Sequence, residues 1–294
     1  MKLLITGANG QVGKSLLDEV KNDHNVLALG RDELDISDRN AVNKIVAEFM
    51  PDIIVNAAAY TAVDRAEEDE ESAYAVNAEG PSNLAKAAKF STAMLVHIST
   101  DYVFDGTSEQ PYTEDAPTNP MSIYGKSKLL GEKLVAEECD DFVIIRTSWV
   151  FSEYGNNFVK TMLKLADKHR TLNIVDDQVG GPTYARDIAK AILSIVVKRQ
   201  ENSGTSIPQG IYNFSGQPSV SWLEFAKAVF DRASTAGIVK ETPLLTGIST
   251  VAYNAPAYRP ANSRLDCEKI SRDFGIDQPD WQNAILELSK FETN

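Results

Sequence analysis

The feature that most constrains the fold is a regular alternation in the first half of the chain. Short apolar runs are separated by segments whose apolar residues recur at helical spacing. Strands this apolar are typical of a parallel sheet covered by helices on both faces, and right-handed crossovers then give a doubly wound α/β arrangement. The runs that we interpret as strands are residues 2–6, 25–30, 52–59, 93–100 and 141–150.

Helical spacing appears between and after these runs. The predicted helices of the first half are residues 10–23, 37–49, 72–90 and 124–138. Ser37 or Asp38 is placed to cap the second of them, because a side-chain oxygen at that point accepts from the free N–H groups of the first turn. Ligands of doubly wound sheets bind beyond the carboxyl ends of the strands, so we expect the residues that end the strands to share one site.

A glycine-rich turn follows the first strand directly and opens the first helix. Gly7, Gly10 and Gly13 have the spacing G-x-x-G-x-x-G. Glycines in such a turn let the backbone approach a pyrophosphate closely, and the free N–H groups of the helix N-terminus bind it. The alternative is an ordinary glycine-rich turn. The position of the loop in a β-α-β pattern favours a dinucleotide site in a Rossmann-type doubly wound parallel sheet.

The end of the second predicted strand bears on which dinucleotide binds. An acidic residue there usually holds the ribose 2′-hydroxyl of NAD, whereas an arginine accommodates the 2′-phosphate of NADP. The chain has Arg31 followed by Asp32. We expect NADPH, bound through Arg31, and leave NADH open through Asp32. A solvated surface cation is the other interpretation of Arg31.

The second half of the chain is less regular. We divide the 294 residues into a dinucleotide-binding domain, 1–150, and a smaller interleaved C-terminal portion, 151–294, that mainly binds substrate. Segments such as 171–200 are expected to pack back on the sheet domain, and 201–210 is interpreted as a surface loop. Helices are predicted at 157–169, 185–199, 222–234 and 281–291, and strands at 172–177 and 210–216.

Hydroxyl and carboxyl groups end the fourth strand, and a tyrosine–lysine pair follows. Thr100 and Asp101 stand at the strand end, and Tyr124 and Lys128 lie four residues apart on one face of a predicted helix. A phenol has an ordinary pKa of about 10. We expect the ammonium of Lys128 to lower the pKa of Tyr124, so that the pair exchanges protons near neutral pH. A chance surface pair is the alternative.

Composition excludes several classes of function. The net charge of −13 disfavours binding to nucleic acid, whose phosphates it repels. No apolar run approaches the roughly 20 residues of a membrane span, so we expect no membrane association. Cys139 and Cys267 are far apart, and the three histidines are scattered. We therefore predict structural cysteines, no metal site and a reducing, cytoplasmic location.

Longer motifs resemble a known family. The glycine loop, residues 56–59, Thr100 and residues 124–128 resemble the extended short-chain dehydrogenase/reductase superfamily. More specifically, the chain resembles the dTDP-4-dehydrorhamnose reductase family from the first strand to about residue 270. The segments that carry this closer resemblance are 34–38, 56–69, 99–106, 124–132, 146–151, 175–189 and 259–270.

The resemblance implies an activity and a catalytic set. A hydride passes from NAD(P)H to C4 of a dTDP-keto-deoxy-sugar, dTDP-4-dehydro-6-deoxy-L-mannose, and gives dTDP-L-rhamnose. Thr100 then holds the carbonyl oxygen, Tyr124 donates the proton, and Lys128 anchors the nicotinamide ribose. Asp101 and Trp149 contact the substrate by the same resemblance. A core tryptophan at a strand end is the alternative for Trp149.

The resemblance also implies a set of cofactor contacts. Gly10, Gln11 and Val12 approach the pyrophosphate, while Asp35 and Ile36 flank the adenine. The complete set expected at the cofactor is Gly7, Gly10, Gln11, Val12, Arg31, Asp35, Ile36, Ala58, Ala59, Tyr60, Tyr124 and Lys128.

Some interpretations stay open at this point. Residues 180–182 belong either to the substrate rim or to a plain strand–helix connection, and Arg259 either binds the nucleotide phosphates or lies in a solvated loop. Some members of the family dimerise through a metal held by glutamates, one of them early in the first helix. Residues 13–16 carry no carboxylate, so we expect a monomer or a weak homodimer.

Three other functions compete with this one. They are an epimerase or dehydratase acting on a nucleotide sugar, a reductase of a related dTDP-keto sugar, and a non-catalytic regulatory subunit resembling the β-subunit of methionine adenosyltransferase. Retention of Thr100, Tyr124 and Lys128 favours catalysis. Asp101-Tyr102 follows Thr100 where a dehydratase is expected to have an Asp-Glu pair.

Overall fold

A computed structural model describes residues 1–20, 24–202 and 207–291. Residues 203–206 of the predicted loop 201–210 lie outside this part. The strands are β1 (Lys2–Thr6), β2 (Asn25–Leu29), β3 (Ile53–Asn56), β4 (Met94–Thr100), β5 (Phe142–Thr147), β6 (Val150–Phe151), β7 (Thr171–Val175), β8 (Val179–Gly180), β9 (Thr183–Tyr184), β10 (Gly210–Asn213), β11 (Val220–Ser221), β12 (Leu244–Ile248) and β13 (Asn262–Ser263). The helices are α1 (Gln11–Glu19), α2 (Arg39–Phe49), α3 (Val63–Ala66), α4 (Glu70–Tyr74), α5 (Gly80–Ser91), α6 (Ile123–Glu138), α7 (Phe158–Ala166), α8 (Ala185–Glu201), α9 (Trp222–Thr235), α10 (Thr250–Tyr253), α11 (Glu268–Phe274) and α12 (Trp281–Ile285).

A six-stranded parallel sheet forms the centre of the protein, in the order β10-β5-β4-β3-β1-β2. Successive side chains of a strand point to opposite faces. Accordingly Leu3 and Ile5 pack in the core that includes α1 and α8, whereas Leu4 packs in the core that includes α2 and α5. Both faces are covered by helices, which explains why the strands are apolar throughout. The predicted doubly wound α/β sheet is confirmed.

Two predicted elements end or change where the local backbone requires it. The strand predicted over 141–150 ends at Thr147, because Trp149 has a φ of 48° and cannot continue an extended strand. The helix predicted over 72–90 includes a π-helical turn at Ala75–Glu79 between α4 and α5.

Asp38, one of the two proposed caps, accepts hydrogen bonds from the first turn of α2.

The second half of the chain contributes to two cores. Strand β10 pairs with β5 at the edge of the main sheet, and α8 packs on α1. A second core forms around Phe225, Phe230 and Trp281. The expectation that 171–200 packs on the sheet domain applies to α8 and not to β7, because β7 pairs with β12 and its apolar residues lie in the second core.

The last predicted helix, 281–291, is divided into α12 and a 3₁₀ turn at Leu288–Phe291, both of which pack in the second core. Throughout the parts of the chain that the structure describes, each helix is too short or too polar to cross a bilayer.

Candidate active site

The carboxyl ends of β1, β3, β4 and β5 enclose a cleft of about 560 Å³. An adjoining cavity of about 200 Å³ lies toward β2 and shares Gly10 and residues 57–59 with it. The predicted site residues in the cleft are Gly10, Gln11, Val12, Ala58, Ala59, Thr100, Asp101, Tyr124, Lys128 and Trp149. The remaining ones, Gly7, Arg31, Asp35, Ile36 and Tyr60, line the adjoining cavity. The structure thus brings the whole predicted set to one continuous edge of the sheet.

The glycine loop fits a pyrophosphate. Gly7 has a φ of 70°, and a Cβ there would lie 2.5 Å from the backbone of Ala57. A Cβ on Gly13 would lie 2.3 Å from the carbonyl oxygen of Gly7. Gly10 is the N-cap of α1 and has no side chain to occupy the free N–H groups of that helix. These N–H groups and the positive end of the helix dipole remain available to an anion.

Arg31 is the cation placed at the end of β2. It is exposed and lines the smaller cavity together with Asp35, whereas Asp32 does not line that cavity. Hydrogen bonds from the hydroxyl and N–H groups of Ser37 lower the pKa of Asp35, with a further contribution from Arg31. The carboxylate of Glu33 accepts the N–H of Gly30 and is therefore engaged within the loop.

Thr100, Asp101 and Tyr124 form the polar end of the cleft. The hydroxyl of Thr100 donates to Oδ1 of Asp101 at 3.1 Å and accepts the N–H of Tyr102 at 3.3 Å. Asp101 is 3% exposed, and its Oδ2 has no hydrogen-bond partner within residues 1–20, 24–202 and 207–291. Burial raises the pKa of Asp101 to about 6. Hydrogen bonds with Ser263 and Thr100 lower the pKa of Asp101 only in part, and the carboxyl group lies shielded from solvent in the wall of the cleft.

The structure corrects the predicted effect of Lys128 on Tyr124. Burial raises the pKa of the Tyr124 phenol well above its ordinary value; Asp101 and Tyr102 raise it further, and a hydrogen bond with Thr100 lowers it only in part. The buried ammonium of Lys128 donates to the carbonyl oxygen of Ile98 at 2.6 Å. Desolvation therefore determines the protonation of the phenol, which is neutral at physiological pH and retains a proton to donate.

Trp149 lies where the cleft meets a third cavity of about 420 Å³. Its indole stacks on that of Trp222 with ring centroids 3.5 Å apart, and Trp222 donates to Gln178 at 3.1 Å. A Cβ on Gly180 would lie 2.7 Å from the Trp149 indole. The absence of a side chain at Gly180 therefore lets the indole of Trp149 pack against the backbone there. Trp149 itself is only partly buried.

Two residues outside the predicted set position the site: Arg259, whose role the sequence left open, and Asn77, which sequence reasoning missed. Arg259 donates to Asp64 at 2.7 Å and to the hydroxyl of Tyr102 at 3.3 Å, and it lines the third cavity. Asn77, in the π-helical turn, bonds both backbone groups of Tyr60 and the hydroxyl of Ser127. An asparagine inside a long helical pattern was the available signal, since it is a poor helix former.

The chain is similar to known proteins over nearly its whole length. The family model described as the RmlD substrate binding domain matches residues 1–292. A dTDP-4-dehydrorhamnose reductase of Aggregatibacter actinomycetemcomitans is 46% identical over 292 residues, which is 99% of each chain. The chain belongs to the dTDP-4-dehydrorhamnose reductase family.

Solved structures of the dTDP-4-dehydrorhamnose reductase family have the same fold over nearly the whole chain. The enzyme of Bacillus anthracis, in complex with NADP, is 38% identical with a TM-score of 0.88 and 97% of each chain covered. The Clostridium acetobutylicum structure is also 38% identical, with a TM-score of 0.90 and 98% of each chain covered. The resemblance predicted from the motifs is therefore confirmed.

Outside residues 21–23, 203–206 and 292–294, no group of three or more His, Cys, Asp and Glu side chains is arranged to hold a metal ion. Cys139 and Cys267 are buried and unpaired, and burial raises the pKa of both thiols.

Proposed function

We propose that this chain reduces the C4 keto group of dTDP-4-dehydro-6-deoxy-L-mannose to the alcohol of dTDP-L-rhamnose, using NADPH and, less preferentially, NADH. The observation that supports the proposal is that Thr100, Tyr124 and Lys128 lie together in one cleft of a chain that belongs to the dTDP-4-dehydrorhamnose reductase family. All three line the cleft between the glycine loop and Trp149. A cofactor bound along the loop and a sugar bound against Trp149 would meet at these three side chains.

NADPH, when bound, supplies the hydride. The N–H groups at the start of α1 would bind the pyrophosphate, and Arg31 would bind the 2′-phosphate of the adenosine half. Asp35 and Ile36 would flank the adenine, while Ala58, Ala59 and Tyr60 would line the path between the two halves. The cavities that these residues line support this placement, because they are continuous through Gly10 and residues 57–59.

The reduction consumes one proton, and Tyr124 donates it. Its hydroxyl, and that of Thr100 after it turns from Oδ1 of Asp101, would hold the carbonyl oxygen, on which negative charge develops as the hydride arrives. A phenol whose pKa is raised by burial is fully protonated before that charge appears. Lys128 holds the nicotinamide ribose and places a positive charge near the reacting oxygen.

The C-terminal portion 151–294 binds the nucleotide sugar together with Asp101 and Trp149 of the first domain. Trp149 and Trp222 form an aromatic surface for the base or the sugar, and Arg259 is placed for the diphosphate in the third cavity. Asp101, which lines the cleft, contacts a sugar hydroxyl. We expect the protein to act in the cytoplasm, as a monomer or a weak homodimer.

The test of this function is a product assay. The purified chain is incubated with NADPH and dTDP-4-dehydro-6-deoxyglucose in the presence of a 3,5-epimerase, and the nucleotide sugars are separated and identified by mass and NMR. Formation of dTDP-L-rhamnose with equimolar oxidation of NADPH supports the proposal. Oxidation that gives a different sugar stereoisomer would indicate another dTDP-keto-sugar reductase. Cofactor binding without any turnover would indicate the regulatory-subunit alternative.

A further inference from the structure

A buried row of polar side chains runs behind the cleft from β1 to Lys128. The hydroxyl of Thr6 donates to Oδ1 of Asn56 at 2.7 Å, and Nδ2 of Asn56 lies 3.0 Å from Nδ1 of His97. Nε2 of His97 lies 3.5 Å from Nζ of Lys128. Asn56 and His97 are fully buried, and Thr6 is 1% exposed. Groups this deep are retained only where their hydrogen bonds are satisfied or serve a purpose.

The orientation of the Asn56 amide is fixed by a backbone group. The N–H of Ala58 lies 3.1 Å from Oδ1 of Asn56, and a backbone N–H can only donate. The oxygen of the amide must therefore face Ala58 and Thr6. It follows that the NH₂ group of Asn56 faces His97 and donates to Nδ1.

This donation fixes the tautomer of His97. A ring nitrogen that accepts a hydrogen bond carries no proton, so Nδ1 is the unprotonated nitrogen. Burial and the nearby charge of Lys128 both lower the pKa of His97, which is consequently neutral. The single ring proton then resides on Nε2 and points toward Nζ of Lys128.

We propose that Asn56 and His97 act together as a positioning pair that presents an N–H group, and not a lone pair, to Nζ of Lys128. An N–H group cannot accept a hydrogen bond from the ammonium of Lys128. One ammonium proton therefore has no acceptor on this side and can be transferred. The inference rests on the proposed function, because it assigns the protonation of Lys128 a part in the reduction.

The surroundings of Lys128 agree with this role. Glu132 on the same helix raises its pKa, but that carboxylate is already paired with Arg146 of β5 and accepts the hydroxyl of Ser99. Asp101, Tyr102 and Tyr124 are the titratable groups that line the cleft beside it. Desolvation dominates and lowers the pKa of Lys128 to about 8.

The tautomer can be read directly in the free protein. The long-range ¹H–¹⁵N spectrum of histidine-labelled protein distinguishes Nε2–H from Nδ1–H and from the imidazolium, and the chain has only three histidines to assign. The variant His97→Phe identifies the signal of His97 by its loss. We expect His97 as the neutral Nε2–H tautomer from pH 5.5 to 8.5. An Nδ1–H tautomer or an imidazolium would overturn the proposal without any variant at Asn56.

The functional test reverses the pair while keeping its other contacts. In Asn56→Asp one carboxylate oxygen still accepts from Thr6 and Ala58, and the other accepts from His97, which must then carry its proton on Nδ1. A lone pair now faces Lys128, so the alkaline limb of the pH profile of kcat should move upward by about one unit or more. The wild-type limb is expected near pH 8, from the pKa of Lys128. An unchanged limb in a variant with the reversed tautomer would overturn the proposal.

Repeating the Asn56→Asp change in a His97→Phe variant distinguishes the effect of the His97 tautomer from the effect of the added negative charge. Asn56→Asp is combined with His97→Phe, which keeps a ring but removes both nitrogens, and the change caused by Asn56→Asp is compared in the two backgrounds. The shift should disappear without the imidazole; a shift of the same size would show that charge alone acts and would overturn the proposal. Absence of turnover by the wild-type protein would instead contradict the proposed function, while the spectrum would still decide the tautomer.

Discussion

Asp101 places an ionisable group where water does not reach it. Its pKa in the folded protein is about 6, above the ordinary value of 3.8. The folded state therefore binds more protons than the unfolded state between these two values, and the carboxyl group contributes less to stability as pH rises through this window. The Asp101 carboxylate therefore lowers the free energy of unfolding, as is common for residues that serve a functional site.

Asp101→Asn should therefore stabilise the protein at pH 7.5. The neutral amide avoids burial of a charge, and we expect the free energy of unfolding to rise by about 1–3 kcal/mol. The gain should shrink at pH 4.5, where the native carboxyl group is already protonated. Urea denaturation at the two pH values measures both effects, and kcat/KM for the nucleotide sugar should fall. Equal stability of variant and wild type at pH 7.5 would contradict this account.

At the residue scale, sequence reasoning located the site but not its electrostatics. The glycine spacing located the cofactor loop, and the end of the fourth strand located Thr100, because both are local sequence patterns. The pKa shift of Tyr124 has the opposite sign to the prediction, because burial is a property of the assembled core. Asn56 and His97 were not found, since their pairing joins strands that are 41 residues apart in sequence.

At the element scale, helix α6 and strand β5 are joined by an ion pair in the core. Arg146 and Glu132 are each 2% exposed, and Nη2 of Arg146 lies 2.7 Å from Oε2 of Glu132. The guanidinium also donates to the backbone carbonyl of Glu114. This pair holds the helix that carries Tyr124 and Lys128 against the sheet.

Glu132→Gln should destabilise the protein strongly. It leaves a buried guanidinium without its counter-charge, and loss of one partner of such a pair costs about 3–5 kcal/mol of unfolding free energy. The double variant Glu132→Leu with Arg146→Met removes both charges and should recover a large part of that loss. Lys133→Gln, at an exposed position of the same helix, is the control. Chemical denaturation distinguishes these cases, and equal stability of single and double variants would argue against a coupled pair.

Elements were predicted well where periodicity is local. The strands of the main sheet and the long helices follow from apolar runs and helical spacing. The end of β5 before Trp149 and the π-helical turn at Ala75–Glu79 depend on single backbone conformations that no period reveals. The short pairs β6–β9 and β8–β13 join distant segments, so their two-residue strands carry no signal of their own.

At the scale of the whole molecule, the C-terminal portion closes over the strand ends through a few polar links. Arg259 bonds Asp64, which lies 195 residues earlier, and Gln11 in the glycine loop accepts hydrogen bonds from Ser152 and Asn157. The sequence predicts a C-terminal portion that interleaves with the sheet domain, and the boundary at residue 150 stays a prediction. Sequence alone gave the order of the elements, whereas these links depend on where the chain returns to the sheet.

Arg259→Met should weaken binding of the nucleotide sugar more than it slows the chemical step. The guanidinium lines the third cavity and lies outside the catalytic set, so we expect KM for the nucleotide sugar to rise by about tenfold or more with a smaller change in kcat. Arg264→Met, five residues on, removes a guanidinium that bonds Asn262 and the carbonyl of Glu109, and it is the matched control. Equal KM values for the two variants would rule out this role.

The most direct test of the reductase assignment compares the wild-type chain with Tyr124→Phe in the oxidation of NADPH by dTDP-4-dehydro-6-deoxy-L-mannose. Loss of the proton donor should lower kcat by about 10²–10⁴ while cofactor binding is retained. Tyr102→Phe, which removes a hydroxyl from the ring in edge contact with Tyr124, should retain most of the activity. An unchanged kcat in Tyr124→Phe would contradict the account, because the proton would then come from another group.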